Sequence, residues 1–130
     1  MLKDGDLPMV GAQPRMLGAA PKDIAPDQAG NVHPGRDGIS VAPSLRSLPL
    51  HLIPKRLRSF APDATGSNAN TIWRHGDGAF LDRSVVAPHL ELRVDTQDHG
   101  IVAPGSTMPL ADYQQALAAT RPNWTEDERG

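Results

Sequence analysis

The chain contains no cysteine. Disulfides, a thiolate nucleophile and a thiolate-held metal are therefore excluded, and the redox compartment is left unmarked. Aromatic residues are scarce, with two Trp, two Phe and one Tyr in 130 residues. A core must be assembled from Leu, Ile, Val and Ala around Trp73, Phe80, Tyr113 and Trp124. No apolar run approaches the roughly 18 residues that mark a membrane span, and no charged-then-apolar leader opens the chain, so neither a membrane partner nor a signal peptide is expected. A net charge of −2 supplies no broad basic surface and argues against a general nucleic-acid binder. The five histidines, at 33, 51, 75, 89 and 99, include no His-x3-His pair, so no metal site is expected. Phosphate-cradling loops of P-loop or Rossmann type and the Gly-x-Ser-x-Gly elbow are missing as well.

Thirteen prolines and twelve glycines are present instead. Such punctuation favours loops and short strands over a helical bundle. The length suits one domain with one core. The stretch from Asn68 to Pro104 carries the clearest pattern, three short runs that alternate apolar and polar residues between Gly-, Pro- and Asp-rich turns. Ile72 and Arg74 are expected on one face of the first run, Thr71 and Trp73 on the other. In the second, Leu90, Leu92 and Val94 share one face and Glu91, Arg93 and Asp95 the opposite one. The pattern predicts a small antiparallel sheet with a charged face, the place to look for function.

Around it, residues 1–13 read as a flexible lead-in, residues 14–124 as a single domain and residues 125–130 as a flexible tail. Pro14 to Gly18 is expected as a short first strand, and residues 19–31 as a loop from which Ile24 enters the core. Turns at Pro34-Gly35 and Asp37-Gly38 precede a brief strand, Ile39-Ser40-Val41, stopped at Pro43, and set Arg36 and Asp37 at the rim of a cleft. Pro49 and Pro54 prevent one long helix over residues 44–58 and leave short helical turns or an extended cover. The basic side chains of that segment either snorkel over leucines or serve an anion. The predicted helix runs from Thr107 as cap to Arg121, with Asp112 in its first turn, Leu110, Tyr113 and Leu117 on one face, and Pro122 as its stop.

Several short matches occur in order: Gly35-Arg36-Asp37-Gly38, Trp73-Arg74 ahead of Gly76-Asp77-Gly78-Ala79-Phe80, Leu90-Glu91-Leu92-Arg93-Val94, and His99-Gly100-Ile101-Val102-Ala103-Pro104 followed by Met108-Pro109. Together they resemble the Tse2-like family of bacterial ADP-ribosyltransferase toxins over residues 14 to 121. The resemblance implies a compact α+β, ADP-ribosyltransferase-like fold, a split antiparallel β-sandwich of short strands with one C-terminal helix. It implies NAD as substrate, cleavage of the nicotinamide–ribose bond and modification of a target-cell macromolecule or small molecule. It also implies a cognate immunity protein or antitoxin, and a bacterial effector that is cytoplasmic or passed into a target cell without a signal peptide, by type VI secretion in the best-known member.

On this resemblance Arg15 is the dinucleotide anchor and Arg36 the second candidate, by bidentate contact with phosphate or ribose. Ser40 positions ribose, and Trp73 and Arg74 lie on the cofactor side. Glu91 stabilises the oxocarbenium-like ribose, and His99 contacts substrate or moves a proton. No clear Glu-x-Glu or Gln-x-Glu pair is recognised, which leaves Glu91 as the available carboxylate. Each residue also has a plain role. Arg15 is then solvated, Arg36 pairs with Asp37, Glu91 is wet, His99 belongs to a turn and Trp73 fills the core. The alternative functions are a non-catalytic β-rich interaction module, or a ribonuclease-like toxin using basic residues 46 to 58.

Overall fold

The computed structural model describes residues 1–13, 15–19, 21–35, 37–76 and 79–128. Its strands are β1 (Lys3–Asp4), β2 (Leu7–Pro8), β3 (Asn31–Val32), β4 (Ile39–Val41), β5 (Trp73–His75) and β6 (Val85–Ala87). They continue with β7 (Leu90–Thr96), β8 (His99–Pro104), β9 (Met108–Pro109) and β10 (Trp124–Glu126). Helix α1 (Leu110–Ala119) lies between β9 and β10. The chain is thus a small α+β protein with mostly antiparallel sheets and a C-terminal helix.

The principal sheet has the order β4-β8-β7-β6. Its register follows the alternation in the sequence. Ile39 pairs with Val102 and Val102 with Leu92, and this row faces the core, where Leu90, Leu92 and Val102 are buried. The next row, Ser40, Ile101 and Arg93, points the other way. Helix α1 closes the core from below with Tyr113 and Leu117. The Tyr113 hydroxyl donates to the Val102 carbonyl at 2.5 Å, joining helix to central strand, and burial pushes the phenol pKa up. Tyr113→Phe leaves that buried carbonyl short of a donor. A loss of about 1–3 kcal/mol is expected, read as a lowered urea midpoint at unchanged slope. A midpoint equal to that of the wild type would show that the hydroxyl contributes nothing.

Several segments depart from the sequence reading. Pro14 lies outside the described residues. The remainder of the expected first strand forms no strand, because Arg15 turns into the left-handed region at φ 69°, and Leu17 makes only a single parallel bridge to Val10. Residues 3–8 of the expected lead-in form a hairpin, with Lys3 opposite Pro8, and Arg121 Nε donates to the Pro8 carbonyl at 2.9 Å. The expected tail is likewise tied down: β10 pairs antiparallel with β5, and Asp127 N–H reaches the Ile72 carbonyl at 3.0 Å. The helix begins two residues late, with Pro109 and not Thr107 at its cap position. Met108 pairs with Val32 in a β3–β9 ladder, and the Thr107 hydroxyl meets His33 Nδ1 at 3.0 Å instead of capping. Thr71 and Ile72 do not alternate, since both are buried and β5 begins only at Trp73.

Residues 44–58 fold as three one-turn 3-10 helices, Leu45–Ser47, Leu50–Leu52 and Lys55–Leu57, with Pro49 and Pro54 in extended conformation ahead of the second and third. They cover a second small core of Ile53, Leu57, Ala64 and Ile72.

Candidate functional site

The residues singled out in the sequence fall into two groups. Ser40, Glu91 and His99 lie on the outward face of the principal sheet, as the alternation requires. They are not brought together. Glu91 pairs with Ala103, four residues along β8 from His99, which at about 3.3 Å per residue is roughly 13 Å. Ser40 sits two strands from Arg93, across Ile101. Ser40 is exposed, and the other two are engaged locally. Glu91 Oε1 lies 3.9 Å from Arg93 Nη1, while His99 Nδ1 donates to Asp95 Oδ1 at 2.8 Å, a bond that holds the Asp95 pKa below its usual range. Arg36 lies outside the described residues.

The second group is Arg15, Trp73 and Arg74, gathered where the N-terminal hairpin meets β5. The Arg15 carbonyl accepts from Leu2 N–H at 2.8 Å, and its side chain is exposed. Trp73 packs against the main core while its indole N–H donates to the Met1 carbonyl at 2.9 Å. Arg74 Nε lies 3.4 Å from Asp127.

Next to this group is a depression of about 460 Å3, lined by Lys3, Met9, Arg56, Thr71, Glu126 and Glu128 among others. Antiparallel pairing puts Thr125 opposite Arg74 and Glu126 opposite Trp73, and the extended path continues through Asp127. A period of two then sends Glu126 and Glu128 to the depression and Asp127 to Arg74 on the other side. Lys3 Nζ meets Glu126 at 2.7 Å, and the hydrogen bond raises the ammonium pKa. Arg56 pairs with Glu128 while Nη1 donates to the Asn68 carbonyl at 2.5 Å and Nη2 to the Asn70 carbonyl at 3.0 Å. With its carbonyl partners fixed, Arg56 holds the Glu128 carboxylate in place. The Glu128 side chain is 20% exposed, against 42% for Glu126. The pair therefore offers one sheltered and one wet carboxylate.

Sequence reasoning passed over Glu126-Asp127-Glu128 because the tail carries no apolar periodicity. The signal was nevertheless present as a Glu-x-Glu spacing just after Trp124. For Arg56 and Arg58 the sequence leaves two roles, snorkelling over leucines or serving an anion. Arg56 is spent on the contacts above, and Arg58 Nε donates to the Ala64 carbonyl at 2.9 Å, which leaves less of the 46–58 segment for nucleic acid. Among the described residues no group of three His, Asp or Glu side chains could hold a metal, and no helix is long and apolar enough to cross a membrane.

No family model, no curated protein and no solved structure matches the chain.

Proposed function

We propose that this protein is a NAD-utilising toxin of ADP-ribosyltransferase type whose working carboxylate is Glu128, not Glu91. The observation that carries the reading is the Glu-x-Glu pair facing the depression beside Arg56 and Thr71. Its volume of about 460 Å3 lies inside the roughly 300–1,000 Å3 of small-molecule sites. In this reading the short sheets are the split sandwich of the ADP-ribosyltransferase-like fold. Exposed Arg15, beside the Leu2 wall, takes the dinucleotide phosphates.

The bond from ribose C1′ to the nicotinamide nitrogen breaks, and nicotinamide leaves with the electron pair. The positive charge left on ribose is stabilised by Glu128, oriented by Arg56. Glu126, the wetter carboxylate, takes the proton from the attacking acceptor or water as the new bond to C1′ forms. An immunity protein covering this rim belongs to the same proposal.

Production of the chain alone in a bacterial cytoplasm is expected to stop growth, and the purified protein to release nicotinamide from NAD. Normal growth, no nicotinamide and no heat on NAD titration would overturn the reading. That outcome would favour a non-catalytic interaction module, for which Leu81 and Val85, 61% and 79% exposed near the β6 edge, offer an apolar surface.

A further inference from the structure

A second depression, of about 280 Å3, opens beside β6 and is lined by Arg83, Val85, His89, Glu91, Gly105 and Ser106 along with Leu90. Its two basic-type side chains are presented from unusual backbone. Arg83 and His89 adopt left-handed φ values of 64° and 67°, which residues with a Cβ avoid unless neighbours enforce them. Neighbours do so here. Arg83 N–H donates to the Leu92 carbonyl at 2.7 Å, and Gly105 N–H to the His89 carbonyl at 2.8 Å. The main chain is thus pinned while the side chains make no direct hydrogen bond. Among the described residues the Arg83 guanidinium, the His89 ring and the Ser106 hydroxyl have no hydrogen-bond or ion-pair partner. Asp82, the nearest acid in sequence, accepts from Val94 N–H at 2.9 Å and lies 3.4 Å from Arg93; the Val94 bond lowers its pKa most, and the charges of Arg93 and Arg83 lower it further.

We infer that this depression binds a phosphate or diphosphate group, held by Arg83 with His89 and Ser106 as further donors. A guanidinium with no direct hydrogen bond, fixed at its main chain and flanked by a hydroxyl, has the donor set such an anion takes. Among the described residues Glu91 is the one acid in the lining, and Arg93, 3.9 Å from it and 3.4 Å from Asp82, offsets its charge in part. The volume falls just under the roughly 300 Å3 at which small-molecule sites begin, so it accommodates a phosphate with a small attached group and not a dinucleotide. Exposed Val85 forms an apolar wall for that group. The site lies on the principal sheet, apart from the Glu126–Glu128 depression, and does not rest on the function proposed there.

The test is titration of 15N-labelled protein with inorganic pyrophosphate, followed by amide shifts. Saturable shifts at Arg83, Val85, His89, Gly105 and Ser106 are expected, with affinity weakened about tenfold or more in Arg83→Ala and unchanged in Arg46→Ala. Arg83→Gly, which relieves the left-handed strain, serves as the second variant should the alanine protein fold poorly; it is expected to be stable yet equally weak in binding. Shifts scattered over other basic residues, or an Arg83 variant that binds as well as wild type, would overturn the inference. Pyrophosphate binding through Arg83 in a protein that leaves NAD intact would uphold this site and remove only the Glu128 reading.

Discussion

Gly38→Ala is expected to lose about 3 kcal/mol or more, at the upper end of what overpacking costs. A Cβ built on Gly38 would lie 2.8 Å from the Val102 carbonyl carbon, closer still to its oxygen, and 3.1 Å from the Tyr113 hydroxyl. These atoms cannot step aside. Val102 is in the central strand, paired on both sides, and Tyr113 is fully buried. Gly38 N–H is itself fixed to the Asp23 carbonyl at 3.0 Å. Relief therefore requires β4 to move off β8, breaking the ladder that begins one residue later. Against a total of about 5–15 kcal/mol for a domain of this kind, such a loss is large. It would lower the urea midpoint by about 1 M or more at an ordinary slope. Gly30→Ala is the control, with a φ of 82° but nothing within 4 Å of the added carbon. It is expected to cost only about 1–2 kcal/mol of left-handed strain. Gly38 has no left-handed φ to relieve, so a loss no larger than that of Gly30→Ala would show that close approach to Val102 is not what makes Gly38 necessary.

Period-two alternation made β7 and β8 legible from sequence, and with them the core face of Leu90 and Leu92, because a half-buried strand must alternate to satisfy both its sides. The prolines at 49 and 54 fixed the broken character of residues 44–58 for an equally local reason. Pairing between distant segments was not legible. Residues 3–8, 108–109 and 124–126 carry too few apolar side chains to announce strands, and they are ordered by long-range partners: Arg121 for the hairpin, Val32 for Met108 and β5 for β10. The candidate site suffered from the same limit. Glu91 and His99 stand out on a clean strand, yet the sheet's own dimensions keep them apart. Glu126 and Glu128 sit in a polar tail whose extended path exists only because Trp73 to His75 lie alongside.

Glu128→Gln is expected to reduce nicotinamide release by about 10²–10³-fold, the usual loss when one preorganised charge-stabilising group is removed. The substitution is nearly isosteric, and the Gln carbonyl can still accept from Arg56, so the protein should remain folded. Its melting temperature should stay within a few degrees of wild type. In the proposed reaction Glu128 acts on charge that develops as the C–N bond breaks and not on the bound ground state, so the effect should fall on kcat more than on KM. Glu126→Gln removes the wetter carboxylate and its exposed pair with Lys3. It should slow transfer to an acceptor more than simple loss of nicotinamide. Glu91→Gln separates the two placements of the chemistry. Glu91 is held by Arg93 on the sheet face, apart from the depression that contains Thr71 and Arg56. Its loss should leave nicotinamide release within about twofold of wild type, well under the effect of one catalytic charge. If instead Glu91→Gln abolished the reaction and Glu128→Gln left it intact, the chemistry would belong to the sheet face. The Glu126–Glu128 pair would then be a clasp, its ion pairs to Lys3 and Arg56 joining β1 and β10 to the 56–71 segment.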